Sequence, residues 1–183
     1  LVSYQFLTQN LHITSLSEED SYNVGGVAIG GLTNGISVRE ITGAYQIFGN
    51  GGKYYTPYTV YRIEDNEGNV IYDYQQNHSE EQAISFDTAT IMNKLLHLPI
   101  NGTDTDAYPT ANMVRRDDLD QIGKTGTTED SNDVWYMGGT TAFVCGIWNG
   151  HEYKEEIYDT NSAKKMYNGI IDWMEANYYD FLH

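Results

Sequence analysis

Two runs in the last third of the sequence, Val134 to Met137 and Ala142 to Trp148, are apolar on both alternations. Successive side chains of a strand point to opposite faces. One face would carry Trp135, Met137, Val144 and Trp148, and the other Tyr136, Phe143, Cys145 and Ile147. Strands of that kind need cover on both sides. Gly138-Gly139 is the expected junction between the two runs. Gln121 to Thr128 reads as a third strand. Met166, Ile170, Trp173 and Met174, at helical spacing, predict a closing helix. Three strands followed by a helix predict an α+β fold, an antiparallel sheet covered by helices.

Upstream, the signals are mostly helical. Residues 1–14 read as the end of a helix bearing Tyr4, Phe6, Leu7 and Leu11, and residues 15–36, rich in Ser, Asn and Gly, read as a loop. Ser37 and Glu40 form a capping box ahead of Ile41, Ala44, Tyr45 and Phe48, and Gly49-Asn50-Gly51-Gly52 ends that helix. Tyr58 to Ile63 and Val70 to Tyr74 predict a hairpin about the turn Asp65-Asn66-Glu67-Gly68-Asn69. The acidic spacing of that turn does not fit a calcium loop. Ser85 caps a second helix with Ala89, Met92, Leu95 and Leu96 on one side. Residues 101–118 read as loop, and Asn101-Gly102-Thr103 matches a glycosylation sequon, a pattern common by chance.

Composition excludes several function classes. The net charge of -16 opposes nucleic acid and anionic membrane surfaces. A single cysteine, Cys145, precludes an internal disulfide or a cysteine-rich zinc site. Five scattered histidines lack ligand spacing, so no metal and no cofactor is expected. No apolar run reaches the roughly 18 residues of a membrane helix. The sixteen tyrosines suit either sugar stacking or core and strand packing, and their placement in periodic segments favours packing. The opening on Leu1, in mid-pattern, reads as a piece of a longer chain.

Chemistry concentrates in Ile122-Gly123-Lys124-Thr125-Gly126-Thr127-Thr128. A phosphate-binding loop would need glycine five residues before Gly123, where Asp118 stands, and Asp117 and Asp120 would repel a triphosphate. A second reading is the Lys-Thr-Gly strand of serine transpeptidases and β-lactamases. There Thr125 and Thr127, on one side of the strand, can donate to a substrate carboxylate while Lys124 supplies positive charge. Gly126 lets a ligand approach the backbone, and a free Thr127 N–H can serve an oxyanion. A third reading is an ordinary strand with a solvated lysine.

The surrounding sequence resembles class A penicillin-binding proteins. The resemblance is carried by Ala28 to Ser37, by Glu40 to Gly52 with Ala44-Tyr45-Gln46-Ile47-Phe48-Gly49-Asn50-Gly51-Gly52, by Lys53 to Pro57 and the following hairpin, by Asp133 to Gly138, and by Val144 to Gly150, all in family order. It implies the C-terminal part of a peptidoglycan D,D-transpeptidase domain, with 1–118 as a helical and hairpin part and 119–183 as sheet strands and closing helix. Implied partners are stem peptides ending in D-Ala-D-Ala, β-lactams, and the missing N-terminal half of the same protein. The implied location is extracytoplasmic, with a membrane anchor outside this chain. Lys124 and Thr127 are the implied catalytic residues, and Thr125, Gly126 and Thr127 the substrate-binding ones.

The family also uses Ser-x-x-Lys and then Ser-x-Asn before that strand. The one Ser-x-x-Lys match, Ser162-Ala163-Lys164-Lys165, follows Lys124 and reads as a helix cap with surface lysines. Ser21-Tyr22-Asn23 sits in the loop before the glycine-rich segment and reads as a decoy. Both true motifs, and a possible glycosyltransferase domain, are therefore expected upstream of Leu1, leaving the isolated chain inactive. The family's Gly-Thr-Gly-like turn is replaced by Asn101-Gly102-Thr103-Asp104-Thr105.

Overall fold

The computed structural model describes residues 2–78, 80–103, 108–153 and 155–183. The architecture is α+β, and every strand pair is antiparallel. The main sheet has the order β5-β6-β7, from β5 (Ile122–Thr127), β6 (Asp133–Gly139) and β7 (Val144–Gly150). Gly138 and Gly139 are the last two residues of β6, paired with Cys145 and Val144, rather than the junction itself. The turn falls at 140–143, where Thr140 N donates to Phe143 O at 3.0 Å and Ala142 N to Thr140 Oγ1 at 3.1 Å. The threonine hydroxyl, a local hydrogen-bonding partner for the turn, decides its place over the glycine pair.

The chain begins with α1 (Val2–Gln5), which runs into a π-helical turn at Phe6–Asn10, as a helix end in this segment predicts. Residues 15–36 are not all loop. They contain α2 (Val24–Ile29), capped by Asn23, whose side chain accepts from Gly26 N at 2.9 Å, and closed by Gly30 at φ 82. Six residues, two of them glycine, carry too little periodicity to be read from sequence.

α3 (Val38–Tyr45) begins at the capping box expected: Ser37 accepts from Glu40 N, and Glu40 accepts from Ser37 N and Oγ. Gly51 and Gly52 after it take positive φ. β1 (Lys53–Tyr55) pairs with β4 (Glu80–Gln82), a ribbon the sequence did not reveal. The predicted hairpin is present but shorter, as β2 (Arg62–Glu64) and β3 (Val70–Asp73). Tyr58 to Tyr61 lie outside it, and Tyr74 instead opens α4 (Tyr74–Asn77) behind the Asp73 cap. Ring stacking holds Tyr74 there, between Tyr58 and His78.

α5 (Phe86–Asn101) starts at the Ser85 cap. It buries Ala89, Leu96 and Ile100, while Leu95, expected inward, is 50% exposed. α6 (Ser162–Asn177) and the short α7 (Tyr179–Leu182) close the chain. α6 covers the sheet as predicted but with a different face. Ala163, Tyr167 and Ile171 are buried with Met174 packed beside them, whereas Met166, Ile170 and Trp173 are 54%, 38% and 57% exposed. Asn149 Nδ2 donates to Ser162 Oγ at 2.8 Å and helps to set the rotation of the first turn.

The sheet therefore has two covered faces. Val134, Tyr136 and Ile147 join Tyr167, Ile171 and Leu182 in one core. Ile122 and Met137 join Tyr45 of α3 and Leu96 of α5 in another. Full burial of each such side chain is worth about 1.5–3 kcal/mol. A third cluster binds Leu11 and Ile13 to Ile47 and Tyr54.

Candidate functional site

β5 carries the chemistry, and it lies at the edge of the sheet. Its inner half is buried at Ile122 and Gly123, and its outer half opens to solvent from Lys124 to Thr127. Opposite residues share a face. Lys124 and Gly126, paired with Met137 and Trp135, belong to the α3 and α5 side, while Thr125, paired with Tyr136, belongs to the α6 side. The two threonines and the lysine thus project from opposite faces of a strand whose outer edge is unpaired. Lys124 Nζ donates to Thr125 O at 2.8 Å.

Backbone parity settles which amides face that edge. Thr128 N donates to Asp133 O at 3.1 Å, toward β6. In an antiparallel ladder N–H and C=O of one residue point the same way and alternate along the strand. Gly126 and Lys124 therefore bond toward β6, and the N–H groups of Thr125 and Thr127 turn outward.

The strand's exit is tightly held. Asp130 and Ser131 both take positive φ, 59 and 53, in a short turn. Asp133 N donates to Thr128 Oγ1 at 2.8 Å, and Trp148 Nε1 donates to Asp133 Oδ1 at 2.8 Å. Ile157 N closes on Ser131 O at 2.8 Å. Two adjacent left-handed non-glycine residues cost of the order of 1–3 kcal/mol each and persist only where such contacts over-determine them. At the other end, a Cβ on Gly123 would collide with the Tyr136 hydroxyl, so the lysine's preceding residue must be glycine for β5 to lie against that ring.

The other sequence candidates are engaged elsewhere. Ser162 is the first residue of α6, and the cap position belongs to Asn161, so the expected serine cap is displaced by one residue; the Ser162 Oγ accepts from Asn149. Lys165 pairs with Asp159 at 2.8 Å, and Lys164 Nζ donates to Thr110 O. Ser21 Oγ donates to Glu18 O at 2.6 Å, and Asn23 caps α2. None of these is joined to Lys124 in any contact among the described residues. Asp104 and Thr105 of the divergent turn lie outside the described residues.

One grouping was invisible in the sequence. Asp118, Glu175 and His183 place ligand-type atoms within 4.8 Å of one another. The three positions come from separate elements, so no local spacing announces them. Arg116 lies against the group, with its Nε 4.0 Å from Glu175 and its Nη2 2.7 Å from Asp172, which offsets the negative charge a cation would need.

The comparisons with known proteins identify the family and the fold. Residues 10–169 match the family model described as the penicillin binding protein transpeptidase domain. Penicillin-binding protein 1A of Clostridium acetobutylicum is 27% identical over 164 residues, covering 89% of this chain and 19% of the relative. Penicillin-binding protein 4 of Bacillus subtilis is 33% identical over 126 residues, 68% of this chain and 19% of its own length. This chain thus spans about a fifth of these curated relatives. Among solved structures, the penicillin-binding protein PonA1 of Mycobacterium tuberculosis superposes with a TM-score of 0.72 at 18% identity, over 93% of this chain and 48% of that one. The D,D-transpeptidase domain of a peptidoglycan glycosyltransferase from Eggerthella lenta gives 0.60 at 23% identity, over 81% and 34%.

Proposed function

This chain belongs to the penicillin-binding protein transpeptidase family, and on that premise we propose that it supplies the substrate-gripping edge of a peptidoglycan D,D-transpeptidase. The observation that supports the reading is the unpaired edge of β5, where ladder parity turns the N–H groups of Thr125 and Thr127 outward and Lys124 Nζ donates to Thr125 O.

In this reading a stem peptide ending in D-Ala-D-Ala lies along β5 as an added strand. Its terminal carboxylate takes hydrogen bonds from the Thr125 and Thr127 hydroxyls and the charge of Lys124, each charge-assisted bond worth about 1.5–3 kcal/mol. A serine Oγ attacks the carbonyl of the penultimate D-Ala. The Thr127 N–H meets the oxygen that becomes negative, a donor whose loss costs about 2.7–4 kcal/mol of transition-state stabilisation. Collapse of the intermediate expels the last D-Ala as an amine, which takes up a proton, and leaves an ester on the serine. An amine from a second stem peptide then displaces the serine and forms the cross-link. Gly126 adds no side chain at the point of contact. A β-lactam follows the first half of this path and stops at the ester.

The serine and its lysine come, in this reading, from sequence outside these 183 residues, because Ser162 and Ser21 are committed to local structure. The same outside sequence would hold the protein at the outer side of the cytoplasmic membrane. Within the described residues no helix is long and apolar enough to cross a membrane.

Labelling with a fluorescent penicillin tests the reading. The parent protein should label, and Lys124→Ala should slow its acylation at least a hundredfold with no loss of fold, since Lys124 is exposed. The isolated 183-residue chain should not label at all. Covalent labelling of that chain, or normal acylation of Lys124→Ala, would refute the assignment.

A further inference from the structure

The solvent end of β5 is held by a small group of polar side chains. By the parity of the ladder, Thr127 turns both its N–H and its C=O away from β6. Its direction is therefore set by the peptide units on either side. Gly126 ties the first to β6. The second is tied at Thr128, whose N–H donates to Asp133 O at 3.1 Å. The register of β5 and β6 ends at Thr127 and Val134, so among the described residues no later ladder pair backs that anchor.

Asp133 holds Thr128 by its side chain as well. Asp133 N donates to Thr128 Oγ1 at 2.8 Å, and Thr128 Oγ1 donates to Asp133 Oδ2 at 3.2 Å. The second carboxylate oxygen, Oδ1, accepts from Trp148 Nε1 at 2.8 Å. The indole fits there because β7 places a glycine opposite Asp133: a Cβ on Gly150 would collide with the ring and stand 2.9 Å from Nε1. Trp135, paired with Trp148, lies tilted against it with centroids 6.2 Å apart. One carboxylate on the middle strand thus joins β5 to β7.

Beyond Thr128 the chain is strained. Thr128 O accepts from Ser131 N at 3.0 Å, and Asp130 and Ser131 both take positive φ. Backbone of that kind keeps its shape only while its contacts enforce it.

From these observations we infer that Asp133 is a positioning residue for the Thr127 N–H. Acting through Thr128, with Trp148 behind it, the carboxylate aims that donor along the outer edge of β5. The inference rests on the reading of β5 as the transpeptidase edge. Aim matters because an oxyanion donor is effective only about 2.7–3.1 Å from the place where charge develops. Asp133 acts by geometry and not as a counter-ion of Lys124. It stands opposite Thr128, four residues along β5 from the lysine, or about 13 Å at about 3.3 Å per residue. Exposed charges that far apart are screened at physiological salt.

Penicillin acylation of the parent protein tests this. The rate constant at saturating penicillin is separated from the half-saturating concentration and scaled to the final yield of acyl-enzyme. Asp133→Ala should lower that rate constant about tenfold, against the roughly 100- to 1,000-fold that outright loss of an oxyanion donor costs. Half-saturation should stay nearly unchanged, because the groups proposed to take the ligand carboxylate remain. Thr128→Val, which deletes the shared hydroxyl, should act in the same direction; Thr128 is exposed, so this variant decides the matter if Asp133→Ala does not fold. Asp133→Asn should recover most of the rate, since its Oδ1 still accepts from Trp148 and its amide can donate to Thr128 Oγ1. Ser85→Ala, which removes the α5 cap, should leave the rate constant unchanged and so separates positioning from general loss of stability. An unchanged rate constant in folded Asp133→Ala or Thr128→Val, a loss confined to half-saturation, no recovery in Asp133→Asn, or an equal loss in Ser85→Ala would each overturn the inference. Slow acylation of Lys124→Ala beside normal acylation of Asp133→Ala removes this inference alone. Normal acylation of Lys124→Ala, or a parent protein that does not label, removes the transpeptidase edge with it.

Discussion

Placing a methyl group on the glycine before Lys124 probes how the motif strand is seated. In Gly123→Ala the new Cβ would overlap the Tyr136 hydroxyl and stand 2.9 Å from its Cζ. Tyr136 has nowhere to go: it is fully buried and packs edge-on to Tyr167 at 4.8 Å. Overpacking of this kind costs about 1–3 kcal/mol. At about 2–4 °C per kcal/mol for a chain of this size, the melting temperature should fall by about 4–8 °C for a loss of about 2 kcal/mol. Tyr136→Phe provides the control. Its hydroxyl is buried with no hydrogen-bond partner among the described residues, so deleting it should be neutral or slightly stabilising. In the double variant the worst overlap is gone and the 2.9 Å approach remains, so rescue should be partial. The expected coupling is about 1 kcal/mol in favour of the pair, read as a double-mutant cycle from urea denaturation. A neutral Gly123→Ala, or additive losses in the cycle, would show that β5 does not owe its position to contact with Tyr136.

Glu40→Gln should destabilise the fold by about 1–2 kcal/mol at neutral pH, because this carboxylate caps α3 and also accepts from Thr14 and Ser15. Burial works to raise its pKa, but bonds from Ser37, Thr14 and Ser15 prevail and hold it down to about 2. A lowered folded value means the contribution is complete above the ordinary carboxylate pKa and is lost as pH falls from about 4.5 toward 2; thermal melts of both proteins across that range should converge, and a gap independent of pH would contradict the assignment. Ser85→Ala should cost about 1 kcal/mol through loss of the α5 cap, measurable by thermal denaturation. The isolated chain should self-associate through the exposed Met166, Ile170 and Trp173 stripe of α6. Sedimentation velocity at increasing concentration should show this, and Trp173→Gln should reduce it.

Much of the architecture was legible in the residues. Sheet strands apolar on both alternations demanded two covers, and α6 on one side with α3 and α5 on the other supply them. The Ser37–Glu40 box and the Ser85 cap marked helix starts because capping is a local hydrogen-bond pattern, readable over four residues. Lys124, Thr125 and Thr127 were placed on a strand by the same local logic.

Orientation and long-range pairing were not legible. α6 carries apolar residues around most of its circumference, so its pattern could not say whether Tyr167 or Trp173 would face the sheet; docking on β6 and β7 chose Tyr167. The β1–β4 ribbon joins residues far apart in the chain, and three-residue strands have too little alternation to announce themselves. Tyr58 and Tyr74 looked like strand residues because aromatic side chains favour strands, yet stacking against each other was the stronger interaction. Local chemistry depends on near neighbours, which the linear order preserves. Which face turns inward, and which edge stays open beside Lys124, depends on contacts across the chain that only the folded packing establishes.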